Sequence, residues 1–217
     1  AIFNEEALQG AVLQMVNHGL STGALFLLVG FLYERRHTRE ISDFGGIAKR
    51  LPVYAAFFVF ITMSSVALPL TNGFVGEFLI FAGTFKEGIH SAIALGGEGV
   101  GWRNLVLGLG IISVSGIILG AVYMLSMVRR VFFGEITRPE NELLKDLGWR
   151  ERFLMGAIAV FVIWIGVAPA GFLKISETSV KGLVAQSRPA ILQVRAPLDY
   201  QREQRARLAE AGVVIHP

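Results

Sequence analysis

Four runs of this sequence contain no Asp, Glu, Lys or Arg: Ala7 to Tyr33, Leu51 to Gly76, Asn104 to Val128 and Phe153 to Leu173, of 27, 26, 25 and 21 residues. A helix that crosses the hydrocarbon core of a bilayer needs about 20 mostly apolar residues. The rest of a 217-residue chain cannot bury four such helices in water, so the runs predict an all-α, polytopic membrane protein with four transmembrane helices. Composition agrees, with 17% charged residues against about 25% in soluble domains. The predicted transmembrane region covers 1–173, with helices over about 7–33, 51–85, 104–130 and 153–173, and a polar tail covers 174–217.

The absence of cysteine excludes disulfides, thiolate metal sites, iron–sulfur ligation and thiol nucleophiles. The four histidines, His18, His37, His90 and His216, have no metal-ligand spacing, so no metal or cofactor is expected in this chain. A net charge of +3 gives little reason to expect nucleic acid as a partner. The chain opens without a basic leader and without an initiator Met, which suggests processing or a piece of a longer protein.

The basic residues cluster beside the apolar runs. Loop 34–50 holds Arg35, Arg36, Arg39, Lys49 and Arg50, and loop 129–152 holds Arg129, Arg130, Arg138, Lys145, Arg150 and Arg152. The intervening connection has only Lys86 and Arg103. By the positive-inside rule both rich loops are cytoplasmic and the N-terminus lies outside.

The second apolar run is too long for one crossing. From Leu51 to Phe85, 35 residues carry a single charge, and the middle reads Leu68-Pro69-Leu70-Thr71-Asn72-Gly73. Pro69 removes a backbone donor and Gly73 eases non-helical dihedrals, which predicts a helix broken near 69–73. Backbone freed at membrane depth must be buried in protein or face water, as it does in ion and substrate paths. In the third run Gly116 and Gly120 form GxxxG, which predicts a helix–helix contact. Glu140 to Arg152 reads as a short interfacial helix with Leu143, Leu144, Leu147 and Trp149 on its apolar side, and Leu198 to Ala211 as a surface helix.

The one charge in the second run is Glu77, four residues past the break. Ionisable groups inside membranes are costly and mark function by default; such a carboxyl can load and release a proton. His18 lies midway along the first run, and Gln14, His18 and Thr22 repeat at i, i+4 with Ser21 at i+3 from the histidine. That stripe can line a water chain with the imidazole as relay, or it can simply hydrogen-bond packed helices. His37, His90 and His216 read as solvated loop or terminal residues. Gly96-Gly-Glu-Gly-Val-Gly101 lacks the GK[ST] of a phosphate loop and reads as a connection.

Taken in order, several motifs resemble one family. They are His18-Gly-Leu-Ser-Thr-Gly-Ala-Leu-Phe, Tyr33-Glu-Arg-Arg-His-Thr-Arg-Glu-Ile, Gly45-Gly, Leu68-Pro-Leu-Thr-Asn-Gly-Phe-Val-Gly-Glu-Phe and, more loosely, Val131-Phe-Phe-Gly134. The sequence resembles the proton-pumping, antiporter-like membrane subunits of respiratory complex I, which are similar to Mrp-type cation/proton antiporters. The resemblance implies a fourteen-helix subunit of which this chain is the C-terminal part, its last four helices, with the 51–85 run as the discontinuous twelfth. It implies that Glu77 is the family's ionisable residue there and that His18 belongs to a hydrophilic axis across the membrane. The family's glutamate–lysine pair and central lysine have no counterpart here, so this chain holds an outer half-channel and does not pump alone. NADH, flavin, iron–sulfur clusters and quinone would belong to other subunits. The partners would be sister antiporter-like subunits and lipid, in a bacterial inner membrane. Residues from about Gln186 onward extend past the family's usual end.

The resulting expectation is a non-redox subunit of a proton-translocating NADH:quinone oxidoreductase, with Glu77 and His18 in the proton path and Gln14, Ser21 and Thr22 lining it. An Mrp-type antiporter or membrane hydrogenase subunit is one alternative. A structural assembly element without a proton path is the other.

Overall fold

The computed structural model describes the backbone of residues 4–94 and 100–195, and their side chains apart from those of 90–94, 100, 102, 103 and 188–195. Among the described residues every regular element is helical. In chain order these are α1 (Glu5–Arg36), α2 (Pro52–Ser65), α3 (Asn72–Ala94), α4 (Val100–Phe132), α5 (Trp149–Val167) and α6 (Ala170–Arg195), with short 3₁₀ turns in the loops.

Local chemistry sets the ends of α1. Asn4 Oδ1 accepts the Ala7 N–H at 2.8 Å, Glu5 and Glu6 occupy the first turn, and Arg35 and Arg36 occupy the last. That charge order matches the helix dipole. His37 closes the helix in the left-handed region at φ 55°, donating its N–H to Tyr33 O. It is exposed, as a loop residue should be. α2 begins with Pro52 in its first turn and has no local side-chain cap. Its free N–H groups are met instead by Asp146, whose carboxylate accepts from Val53 N at 2.9 Å and Tyr54 N at 3.0 Å.

This long-range cap explains why the expected interfacial helix over Glu140 to Arg152 is not formed. The segment makes a 3₁₀ turn at Pro139–Leu143 and stays non-helical until Trp149. Leu144 and Leu147 are buried while Leu143 and Trp149 are exposed, so the four do not share one apolar face. Asn141 pins the turn, accepting from Arg36 Nε at 2.9 Å and donating to Asp43 O at 3.0 Å.

α1 and the α4 segment Asn104–Phe132 are each long and apolar enough to cross a membrane, and α5 with α6 passes jointly as a pair bent by 68°. α2 is apolar but has only 14 residues. The tail expected to begin at 174 is helical to Arg195, and the surface helix expected over Leu198 to Ala211 lies outside the described residues, as does His216. Residue 90 sits within α3 rather than in a loop; of Gly96 to Gly101, only Val100 and Gly101 are described, and they open α4.

Tight packing lies elsewhere than the GxxxG pair. A Cβ added at Gly116 meets nothing within 4 Å, and at Gly120 only the Tyr123 ring. Along the α1–α3 seam, a Cβ at Gly10 would stand 2.7 Å from Leu79 Cβ, and one at Gly83 would stand 2.6 Å from Ala7 N. At this seam Asn4 Nδ2 donates to Gly83 O at 2.6 Å, and Lys86 pairs with Glu6.

A polar seam between the first helix and the helix break

α2 stops at Ser65 and α3 starts at Asn72. The stop is a Schellman arrangement: Leu68 N–H bonds to Met63 O at 2.9 Å and Ala67 N–H to Ser64 O at 3.2 Å. Ala67, at φ 58°, takes the left-handed position usually held by glycine, and Leu70 also has a positive φ of 74°. Thr71 Oγ1 then donates to Leu68 O at 2.6 Å, so the turn satisfies much of its own backbone. Gly166 of α5 comes up against the Leu70 carbonyl, where a side chain would collide. Pro69 is exposed at the tip of the turn and Gly73 is buried in the first turn of α3, so the two expected break residues flank the restart. A Cβ at Gly73 would strike the Ser64 carbonyl, so its missing side chain is needed for close approach as well as for flexibility.

Asn72, fully buried, organises the restart. Its Oδ1 accepts from Ser64 Oγ at 2.5 Å and from Ser21 Oγ at 3.4 Å, and its Nδ2 donates to Asn17 O at 3.3 Å. Ser21 and Ser64 share a further bond at 2.9 Å. Asn17 Nδ2 returns to Asn72 O at 2.7 Å and also donates to Gln14 Oε1 at 3.2 Å. Gln14 Nε2 in turn donates to Glu77 Oε1 at 3.3 Å. A line of hydrogen bonds thus runs from the end of α2, through the restart of α3, to the carboxylate.

The polar stripe of α1 turned toward the break is therefore Gln14, half-buried, with Asn17 and Ser21, both buried. His18 and Thr22 lie about 100° further around the helix. His18 is exposed, and its Nδ1 shares a hydrogen bond with Thr22 Oγ1 at 3.2 Å. A cavity of about 400 Å³ separates this face from α4, lined by Gln14, Asn17, His18, Thr22, Ser65 and Tyr123 among others, with Ser21 also on its wall. Glu77 is not on that wall, while Gln14 is. Of the expected site residues, Gln14, His18, Ser21, Thr22 and Gly73 thus meet at one cavity, and Glu77 is joined to them by its hydrogen bond from Gln14.

Asn17, Asn72, Ser64 and Ser65 were not singled out from the sequence as site residues. The spacing Gln14–Asn17–Ser21 carried the signal for the first, at i, i+3 and i+7. Four buried polar atoms, Asn17 Oδ1, Thr62 Oγ1, Ser65 Oγ and Glu77 Oε2, have no hydrogen-bond partner among the described residues. Native interiors leave few such groups, and those left tend to lie where chemistry or bound water needs them. The described residues contain no group of three or more His, Asp and Glu side chains suited to a metal ion.

Comparison with known proteins matches this geometry to one family. Residues 1–100 match the family model described as NADH:quinone oxidoreductase/Mrp antiporter, TM. The chain is 39% identical to NADH-quinone oxidoreductase subunit M of Rickettsia typhi over 182 residues, covering 84% of this chain and 33% of that protein. It is 38% identical to NADH-ubiquinone oxidoreductase chain 4 of Marchantia polymorpha, covering 85% of this chain and 34% of that one. Among solved structures, a chain of respiratory complex I from Thermus thermophilus with bound NADH superposes at a TM-score of 0.63 and 28% identity, covering 83% of this chain and 35% of that one. A chain of the archaeal membrane-bound sulfane sulfur reductase reaches the same TM-score at 27% identity, covering 77% of this chain and 25% of that one. The chain spans about a third of the length of the curated relatives it matches. With its long apolar helices this chain is an integral membrane protein, and over residues 1–100 it is similar to the NADH:quinone oxidoreductase/Mrp antiporter family.

Proposed function

We propose that this chain supplies an outer-side half of a proton path in a proton-translocating NADH:quinone oxidoreductase. α2 and α3 form one interrupted crossing, so that with α1, α4 and the α5–α6 pair the chain crosses the membrane four times. The basic loops 34–50 and 129–152 face the bacterial cytoplasm, and the neighbours are sister antiporter-like subunits. NADH, flavin, iron–sulfur clusters and quinone belong to other subunits, and this chain's residues only hold and pass protons. The observation that carries the reading is the hydrogen bond to Glu77 from Gln14, which shares the wall of one cavity with His18, Ser21 and Thr22.

In this path a water in the cavity gives its proton to Glu77 Oε1 and recovers one from the protonated His18 ring; Glu77 then discharges toward the outer side. Imidazole suits the relay because one ring nitrogen can accept a proton while the other donates one. Glu77 suits the loading site because it is the one acidic side chain of the interrupted run and its carboxylate is reached by Gln14. The test is Glu77→Gln in the complete complex, which should abolish proton translocation during NADH oxidation while the complex still assembles. Translocation at the original ratio of protons to NADH would overturn the assignment.

A second reading draws on the equal TM-score of the sulfane sulfur reductase chain and the Mrp antiporters within the matched family. The same helices would then serve an antiporter module in a complex without NADH chemistry. Native purification separates the two readings by the chains that co-purify.

A further inference from the structure

Gln14 stands at the one place where the cavity and the carboxylate meet. Its Nε2 covers Glu77 Oε1 at 3.3 Å, its Oε1 is held by Asn17 at 3.2 Å, and the same side chain forms part of the cavity wall on which His18 lies. An amide cannot serve as a proton carrier in this position, because Nε2 offers only donor hydrogens toward the carboxylate. While the side chain stands there, it lies between Glu77 Oε1 and the cavity, whose wall includes Gln14 but not Glu77. The bond is longer than the usual 2.9–3.0 Å, so little is lost in breaking it. Packing limits where the side chain can go, since Gly76 lies against Gln14 Oε1 and Cβ and leaves no room on the α3 side. The open direction is the cavity, whose 400 Å³ far exceeds the roughly 30 Å³ that one water occupies in the liquid.

We propose that Gln14 is the gate of this half-path: a positioning residue whose amide closes Glu77 off from the cavity and whose swing into the cavity admits water to the carboxylate. The inference rests on the proton-path reading above. When the side chain swings out, a cavity water protonates Glu77 Oε1 and is reprotonated by His18. When it swings back, the loaded carboxyl is shut off from the cavity and its proton can leave only on the other side. Asn17 is the latch that returns the amide, because its Nδ2 holds Gln14 Oε1 in the closed position while being anchored on Asn72 O.

Two variants test this in membrane vesicles that contain the complete complex. Gln14→Ala removes the plug, and should lower the number of protons moved per NADH several-fold and raise passive proton permeability. Gln14→Met keeps the length and bulk but has no donor. It should leave the vesicles tight yet move the Glu77 carboxyl C=O stretch, assigned by its loss in Glu77→Gln, to higher wavenumber. If Gln14→Ala does not assemble, the Gln14→Met band decides. Wild-type permeability in Gln14→Ala, or an unmoved carboxyl band in Gln14→Met, would overturn the gate. Neither outcome touches the proton-path reading, which stands or falls on translocation by Glu77→Gln.

Discussion

The C-terminal end of α1 and its middle, where the helix break packs, handle polar groups in opposite ways. At the end carrying Arg35 and Arg36, nearly every buried polar group has a partner. Arg35 makes a forked pair with Glu151 at 2.9 and 2.6 Å and donates Nε to Lys145 O at 2.9 Å. Glu151 also accepts the Gly148 N–H at 2.6 Å, and Tyr54 Oη donates to Leu28 O at 3.0 Å while its ring stacks on Phe132, which also meets Phe58 at a tilt. Around the break, by contrast, the polar groups are as densely bonded but four buried atoms remain unmatched, one of them on Glu77. A fully satisfied network rigidifies, whereas a partly satisfied one leaves room for protons and water to rearrange. On the proton path proposed above, the loop end is the anchor and the break is the working part.

That contrast can be broken at several points. The largest effect belongs to Glu77→Gln, which should remove translocation with little change in thermal stability, because the amide keeps the shape of the carboxyl. Asn72→Leu strikes the shared knot of the working end. It removes the side-chain acceptor of Ser64 and Ser21 and the donor to Asn17 O, and at about 1–3 kcal/mol per unsatisfied buried group it should lower the melting temperature of the complex and the amount assembled. An unchanged melting curve would mean that the knot contributes no rigidity.

Asp146→Ala acts only on the anchor. Loss of a helix cap costs about 0.5–2 kcal/mol, read as a lower melting temperature, while protons moved per NADH in the assembled complex should stay as in wild type. A change in that ratio would show that the two regions are coupled and would erase the distinction. The smallest effect is a gain. Ala67 holds the left-handed position in the turn, so Ala67→Gly should stabilise by about 1 kcal/mol, detected as a slightly raised melting temperature.

Much of this arrangement was legible in the residues, and the failures have physical causes. Glu77 stood out because one charge in 35 residues cannot be accidental in a bilayer, and the break stood out through Pro69 and Gly73. Asn17 was passed over because a stripe of Gln14, His18 and Thr22 is equally helical; only the position of α3 decides that the face 100° away is the buried one. GxxxG at Gly116 and Gly120 misled for a related reason. The motif permits close approach but does not choose a partner, and the close approaches were made by Gly10, Gly76 and Gly83. The segment before Trp149 carried an amphipathic pattern, yet its Asp146 is drawn out of any local helix by N–H groups of Val53 and Tyr54, more than 90 positions away in the chain.

By itself the sequence determined that this is a helical membrane protein with an interrupted apolar run and one carboxyl inside it. Those properties follow from the free energy of each residue in hydrocarbon and from local backbone preference, which need no knowledge of neighbours. Only the tertiary structure decided which face of α1 is buried, which amide reaches Glu77 and which distant carboxylate caps α2. Each of these depends on groups far apart in the chain meeting within about 3 Å, and no local pattern encodes such a meeting.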